Sequence, residues 1–576
     1  MIRLAPPIDA VRRSPFSLAD VVVILGALTL LAVIAKVAAG AFVAFVPPHT
    51  LPTVSTDPKF LPYYAARSTL RMFVALIWSF LFTLVYGYAA ARSRRLGRVL
   101  IPLLDILQSV PVLGFLSITI TGFIALFPGS LLGLEFASIF AIFTAQAWNM
   151  TFSFYQSLRT IPQDLDEAMT SYHLSRWERF TRLELPSSAI PLIWNAMMSF
   201  GGGWFFLAAS EAITVLNKSY TLPGIGSYVA AAVAAKDMRA LCWAILTIAI
   251  VIFAIDQLFW RPLVAWSDKF RLELSSAGEA PKSWLYDLLR SATFVRSLRS
   301  MTAPLRDFAN ARLSALTGIP KPWRPLSRAY TPADRIYDAA LIVAIVVLVY
   351  IGFNFIVKVV GVSETVHAVA LGFFTLLRVL VLLVIATLVW TPIGVTIGFN
   401  PRLAHFAQPI AQFLASFPAN FVFPFATAFF ISTHISLNFG SVLLMALGSQ
   451  WYILFNVIAG ASAVPNELRE MALDMDVRGR LLWKRLIIPG IFGSWVTGAI
   501  TASGGAWNAS IVSEIVSWGH TTLVASGLGA YIAEATTKGD WPRITLGVCV
   551  MSLFVVGVNR LVWRRLYKLA EVKYHL

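Results

Sequence analysis

Runs of about twenty apolar residues recur along this chain, and that recurrence restricts its fold more than any other feature. A helix needs about 20 such residues to cross the hydrocarbon core of a bilayer. Lipid offers the backbone no hydrogen-bond partners, so a spanning segment of this kind must be a helix. One set of runs lies near 20–45, 68–91, 109–128, 134–157, 190–213 and 240–262. A second lies near 335–359, 367–398, 412–433, 436–460, 491–515 and 542–563. The expectation is an all-α polytopic membrane protein with about twelve transmembrane helices. Composition agrees: 58% of the 576 residues are hydrophobic and 13% are charged. Mean hydropathy is +0.73, more apolar surface than a water-soluble protein hides. The first run, Val21 to Val46, is too long for the h-region of a cleavable signal.

The net charge of +17 is compatible with nucleic acid, anionic lipid or an acidic partner. Position decides among them. The basic residues flank the apolar runs, where cytoplasmic Lys and Arg collect, and no soluble basic domain with interleaved aromatics points to nucleic acid. Arg92, Arg94, Arg95 and Arg98 follow the second run, Arg176, Arg179 and Arg182 the fourth, and Arg478, Arg480, Lys484 and Arg485 the tenth. Both termini are therefore expected in the cytoplasm. A basic stretch at 263–334 separates two halves, 1–262 and 335–576. Within it Trp284, Leu285, Leu288, Ala292, Val295 and Leu298 recur at helical spacing among Arg290, Arg296 and Arg299. That pattern fits an amphipathic helix, either on the membrane surface or solvated as a linker. Cys242 and Cys549 fall inside apolar runs and read as buried, inert thiols. The seven histidines show no ligand spacing, so no metal or other cofactor is expected.

The two halves are copies of one pattern. At an offset of 303, Trp148 matches Trp451, Pro162 matches Pro465, Glu167 matches Glu470, and Pro186 matches Pro489. Gly201, Gly202 and Trp204 match Gly504, Gly505 and Trp507, and Glu211 matches Glu514. Nearer the start of each half the offset is 307, pairing Arg71 with Arg378, Ser109 with Ser416, and Pro111 with Pro418. Ser17 to Asp20 and Thr331 to Asp334 read as capping boxes ahead of the first run of each half. Six spans per half give both copies one orientation, hence a pseudo-two-fold axis along the membrane normal with a central pathway.

Between the fourth and fifth runs, the first half reads Ile161-Pro-Gln-Asp-Leu-Asp-Glu167-Ala168-Met169 and continues to Pro186. The second reads Val464-Pro-Asn-Glu-Leu-Arg-Glu470-Met471-Ala472 and continues to Pro489. Glu and Pro are 19 residues apart in both. This resembles the EAA loop of binding-protein-dependent ABC importer permeases, whose pattern adds a glycine six residues after the Glu. Leu-Pro-Gly-Ile-Gly-Ser-Tyr from Leu222 and Gly-Leu-Gly-Ala-Tyr from Gly527 look like the nitrate, sulfonate and bicarbonate (taurine-type) branch. The resemblance implies a type I importer fold in a bacterial inner membrane, with two separate ABC ATPase subunits and an extracytoplasmic solute-binding protein as partners. It implies ATPase coupling through Glu167, Ala168, His173, Trp177, Phe180 and Pro186, and through Glu470, Met471, Ala472, Asp476, Trp483 and Pro489. The Pro would end the loop and open the next span at its first turn.

His173 and Asp476 stand where the family has glycine. Both residue types tolerate positive φ better than most, so the turn can survive at some cost. Met471 and Met169 replace alanines, which makes unequal docking of the two ATPase subunits an expectation. No G-x-x-x-x-G-K-[ST] occurs, so ATP hydrolysis is assigned to another polypeptide and no enzyme activity to this one. A substrate pathway would draw on Arg71, Arg378, Ser109, Ser416, Trp204, Trp507, Glu211 and Glu514. Four of these, and the nearby glycines, have a plainer reading. Glu211 and Glu514 read better as braces for the adjacent Gly-rich segment, Arg71 and Arg378 as snorkelling outward, and Gly201 to Gly203 as close packing. An ion-gradient-driven secondary transporter of 6+6 design is the alternative, and a membrane-embedded enzyme ranks below it for want of a nucleophile or paired carboxylates.

Overall fold

The computed structural model describes residues 18–40, 54–109, 112–215, 218–270, 283–317 and 332–573. In the first half the helices are α1 (Leu18–Ala39), α2 (Leu61–Arg92), α3 (Arg94–Ser109), α4 (Val112–Leu126), α5 (Leu132–Arg159), α6 (Gln163–Ser171), α7 (Arg176–Arg179) and α8 (Leu185–Glu211). A hairpin follows, β1 (Ala212–Val215) and β2 (Lys218–Thr221), then α9 (Ile225–Ala234), α10 (Met238–Ile255) and α11 (Arg261–Ser267). The linker holds α12 (Trp284–Ser291) and α13 (Thr293–Thr317). The second half repeats the order: α14 (Pro332–Val359), α15 (Val362–Gly398), α16 (Pro401–Ser416), α17 (Phe423–Thr433), α18 (Leu437–Ser462), α19 (Asn466–Asp474), α20 (Gly479–Leu482) and α21 (Ile488–Ser513). Hairpin β3 (Ile515–Trp518) and β4 (Thr521–Val524), α22 (Leu528–Lys538), α23 (Trp541–Val558) and α24 (Arg564–Lys573) complete it.

Among the described residues, nine helices are long and apolar enough to cross a membrane. Three of the twelve expected spans are different. The third span of each half is shorter, 15 residues in α4 and 11 in α17; in the second half the chain leaves the helix ahead of it. Phe417 and Pro418 are extended, as the residue before a proline is biased to be. α5 is long enough at 28 residues, but Glu135, Gln146 and Asn149 interrupt its apolar run. The amphipathic segments α3 and α16, each 16 residues, precede the shortened spans.

Packing divides the chain into two units. One takes the residues up to Ala39, Ser153–Asn195 and Phe253–Arg328. Here Asp20, in the first turn of α1, accepts from Phe294 N at 2.6 Å and from the Thr293 hydroxyl. The expected linker helix is two helices, broken at Ala292, which is extended. The other unit takes Gly40–Phe152, Ala196–Ile252 and Ala329 onward. Its largest apolar core gathers Leu116, Leu382, Met445, Val457, Trp507 and Ile532 from both halves. There Asp334 accepts from Arg95 Nε at 3.2 Å, and Asp338 from Arg98 at 2.9 Å. Ser17 and Thr331, the capping residues expected from sequence, lie outside the described residues. Cys242 and Cys549 are exposed on the bundle exterior rather than buried; an apolar helix in a membrane protein has an outward side as apolar as its core.

Candidate functional site

The fifth span of each half ends on a glutamate, and around it lies a buried cluster of charged and polar side chains. Glu211 is fully buried at the end of α8. Its Oε1 accepts from the Ser68 hydroxyl and from Arg71, both at 2.6 Å, and its Oε2 accepts from Gly226 N at 2.7 Å. Ser68 Oγ in turn accepts from Ile225 N at 3.0 Å. The carboxylate thus satisfies amides at the start of α9, groups that a helix leaves open. A Cβ on Gly224 would collide with the carboxylate, so only glycine allows this approach. The rest of the Arg71 guanidinium reaches Glu135 on α5, at 2.5 Å through Nε and 2.8 Å through its terminal nitrogen. Arg67 binds the same Glu135 and donates to Tyr63 Oη at 3.2 Å.

The second half builds the same brace from fewer charges. Glu514 Oε1 accepts from Thr375 at 2.8 Å and Arg378 at 2.7 Å, and Oε2 accepts from Gly529 N at 2.8 Å and Ala530 N at 3.2 Å. Leu528 N donates to Thr375 Oγ1 at 2.9 Å. Arg378 spends its remaining donors on the Asn438 carbonyl at 3.1 Å, Asn438 Oδ1 at 2.8 Å and the Ser526 carbonyl at 3.0 Å. These neutral acceptors stand where Glu135 stands in the first half.

The halves meet reciprocally. Val112 N at the head of α4 donates to Asn508 Oδ1 on α21 at 3.2 Å, and Asn420, just ahead of α17, donates to the Phe205 carbonyl on α8 at 3.2 Å. Gln412 on α16 contacts Met197 Sδ at 3.0 Å. Ser416 packs so closely on Gly201 that a Cβ there would strike its hydroxyl, and Tyr452 Oη faces Gly202.

In the first Glu-to-Pro loop, α6 closes with Leu174 N donating to Met169 O at 3.3 Å around His173, whose φ is 52°. This is a left-handed helix stop of the kind glycine usually makes. Ser175 then caps α7, with Glu178 returning the bond at 3.0 Å. Trp177 is half-buried against the linker: its Nε1 donates to Asn310 Oδ1 at 2.9 Å, its backbone N to Thr317 Oγ1 at 3.2 Å, and Ser314 donates to Ser175 Oγ at 2.7 Å. The second loop repeats the stop at Asp476, φ 50°, with Val477 N donating to Ala472 O at 2.8 Å. It presents Met471, Met475 and Leu481 as exposed apolar residues.

Pro186 and Pro489 do not restart their helices. The chain runs as one helix from Arg176 to Glu211 and from Gly479 to Ser513. A π turn absorbs each proline, at Phe180–Glu184 and Trp483–Ile487. A proline lacks the N–H that the preceding turn expects and its ring crowds that turn's carbonyl; a widened turn makes room.

The structure therefore brings Arg71 to Glu211 and Arg378 to Glu514, and leaves neither arginine at the surface. Snorkelling is overturned: Arg71 is 2% and Arg378 7% exposed, since buried carboxylates and carbonyls take every direction their donors point. Glu167 and Glu470 are exposed, Ala168, Phe180, Ala472, Trp483, Pro186 and Pro489 half-buried. Trp204 and Trp507 are core residues, packed on Phe200 and Phe554. Of the pathway candidates, Ser416 lies where the halves meet; the side chain of Ser109 is outside the described residues. Glu135, Arg67 and Asn438 escaped the reading of the sequence. The offsets carried the signal: Glu135 falls on Asn438 at 303, and Arg67 falls on Phe374 at 307.

Comparison with known proteins matches the family model of the binding-protein-dependent transport system inner membrane component twice, over residues 83–259 and 390–567. A putative ABC transporter permease protein of Methanocaldococcus jannaschii is 25% identical over 197 residues, 34% of this chain and 68% of that protein. A putative aliphatic sulfonates transport permease protein of Bacillus subtilis is 25% identical over 165 residues, 29% of this chain. A nitrate import permease protein of Leptolyngbya laminosa is 26% identical over 150 residues, 26% of this chain. The chain spans 55% and 50% of the length of these last two relatives.

Proposed function

The chain belongs to the binding-protein-dependent transport system inner membrane components, and from that premise we propose that it is the whole transmembrane part of an ATP-driven importer. Residues 1–262 and 335–576 would be its two permease domains, joined through 263–334. The observation that carries this reading is the doubled family match, with a helix–left-handed stop–helix in each copy. Two such loops suit two ATPase subunits. Glu167 and Glu470 are exposed in them, where a basic residue of an ATPase subunit could form a charge-assisted contact. Closing of the ATPase pair on ATP would move both loops and, through the continuous helices that follow, reopen the central path on the other side. A soluble binding protein would deliver the solute there. The names of the Bacillus and Leptolyngbya relatives favour a small anion of the sulfonate or nitrate class.

The two loops would not be equivalent. The first is covered on one side by α13 through Trp177, while the second offers Met471, Met475 and Leu481, apolar groups of the sort that anchor interfaces. The braces at Glu211 and Glu514 fix the short helices α9 and α22 to the bundle and are given no part in solute contact.

The test is uptake of a labelled anion by vesicles holding the chain and its co-purified ATPase subunits, with ATP inside and the soluble binding protein outside. Glu167→Lys and Glu470→Lys should each release ATPase protein and lower uptake, by different amounts. Equal losses would count against inequivalent loops. Uptake that needs only an ion gradient would overturn the reading in favour of a secondary transporter.

A further inference from the structure

α13 is 25 residues long, or roughly 37 Å at 1.5 Å per residue, and it has two opposed faces. One carries Asn310, Ser314 and Thr317, spaced four and three apart, and all three hydrogen-bond to Ser175, Trp177 or Glu178. On the opposite side Leu298, Met301, Leu305 and Phe308 recur at steps of three, four and three, which places them along one stripe. Met301 is 75% and Leu305 71% exposed, and Leu298 and Phe308 at least half.

Where the helix is fastened says what covers that stripe. Its N-terminus is held by Asp20 in the first turn of α1. Its C-terminal half is held by α7, the first turn of the continuous helix that ends at Glu211. The Asp20 fastening is the entry turn of the α1 span, which is itself almost wholly unburied by protein, whereas α7 lies several turns ahead of the apolar run of its own helix. α13 therefore starts at the membrane entry of α1, which puts its N-terminal end and the stripe that begins at Leu298 next to the bilayer surface. Charge agrees: residues 284–317 hold five arginines, Arg290, Arg296, Arg299, Arg306 and Arg312, against Asp287 and Asp307. Arg312 lies 5.3 Å from the Phe308 ring, at the stripe itself. Trp284, at the start of α12, is exposed, as interfacial tryptophans are.

We propose that α13 is an interfacial clamp: its Leu298–Phe308 stripe inserts among anionic phospholipid headgroups, while its other face holds the first Glu-to-Pro loop. Basic amphipathic helices bind anionic bilayers by this combination of apolar insertion and charge. The loop would then feel the lipid composition of the leaflet it faces. The clamp needs only the membrane-spanning fold and does not depend on which solute is carried.

Spin labels test it on the full chain with Cys242→Ser and Cys549→Ser, both exposed positions. Met301→Cys or Leu305→Cys marks the stripe, and Ser300→Cys marks a water-facing side. In phosphatidylcholine vesicles containing phosphatidylglycerol, the stripe labels should collide several-fold more with oxygen than with an aqueous nickel complex, and the Ser300→Cys label should do the reverse. The contrast should weaken in phosphatidylcholine alone, and Arg306→Gln with Arg312→Gln should abolish the difference between the two lipids. Equal aqueous access at Met301→Cys and Ser300→Cys overturns the clamp. So does shielding that appears only when ATPase subunits are added, or dipolar coupling between labels on two copies. A lipid difference that survives the paired arginine changes overturns the anionic part of the proposal.

Discussion

The brace at Glu211 and the brace at Glu514 do the same work with different charge inventories. Each pins the first amides of a short helix to the end of a span through a hydroxyl, an arginine and a buried carboxylate. The first adds a second ion pair, Arg67 with Glu135, and the second replaces both members, with Phe374 and Asn438 at the matched offsets. Both clusters stay balanced. A buried charge without its partner is far more costly than a neutral group in the same place, so an ion pair of this kind can be removed only as a unit. The comparison teaches that the conserved part of the device is the carboxylate over the helix start, and that the further pair is an optional supplement.

The sharpest way to break this comparison is to neutralise the carboxylates. Glu514→Gln leaves Arg378 with no carboxylate at all and should cost about 3–5 kcal/mol of stability, read from denaturant unfolding in detergent micelles. Glu211→Gln leaves Arg71 still paired with Glu135 and should cost only about 2 kcal/mol, the loss of charged hydrogen bonds. Equal losses would mean that Glu135 does not share the load. Next comes Glu135→Asn, which removes the carboxylate that Arg67 and Arg71 share and should cost about 3 kcal/mol. Adding Arg67→Phe converts the first brace to the second's composition and should restore about 2 kcal/mol of it through a favourable coupling; strictly additive losses would sink the idea of an exchangeable unit.

Smaller effects sharpen the difference between the loops. Trp177→Phe removes the hydrogen bond to Asn310 and should lower stability by about 1 kcal/mol, with no further loss when Asn310→Ala is added. At the helix stops, His173→Gly and Asp476→Gly relieve a left-handed conformation and should each raise stability by roughly 1 kcal/mol. The exposed ion pair from Asp476 to Arg478 is too well solvated to reverse that sign. A fall in melting temperature for either glycine variant would show that the side chain makes a contact of its own.

Much of this was legible in residue order. Matched spacing located the repeat and the Glu-to-Pro loops, and the resemblance to the EAA loop pointed to His173 and Asp476 as the turn residues. The errors share a cause. Arg71 and Arg378 were expected to snorkel because their partners, Glu135 at 64 residues' distance and Glu514 at 136, cannot be read from local pattern. Cys242 and Cys549 were expected inside because an apolar run does not say which side faces lipid. The prolines were read as helix starts because a π turn leaves no mark in composition. The contact of Trp177 with α13, more than a hundred residues on, is long-range in the same way, and its part in ATPase docking remains a proposal.

Sequence by itself determined a helical membrane protein in two like halves, each with a turn-bearing Glu-to-Pro loop. Lipid forces the backbone into helices wherever the apolar run is long enough, so hydropathy and period suffice for that much. Only the tertiary structure decided which charges neutralise one another, which face of each helix is hidden, and which of the two loops the linker holds. Those are properties of side chains brought together across long stretches of chain, and a buried charge is decided by what stands opposite it.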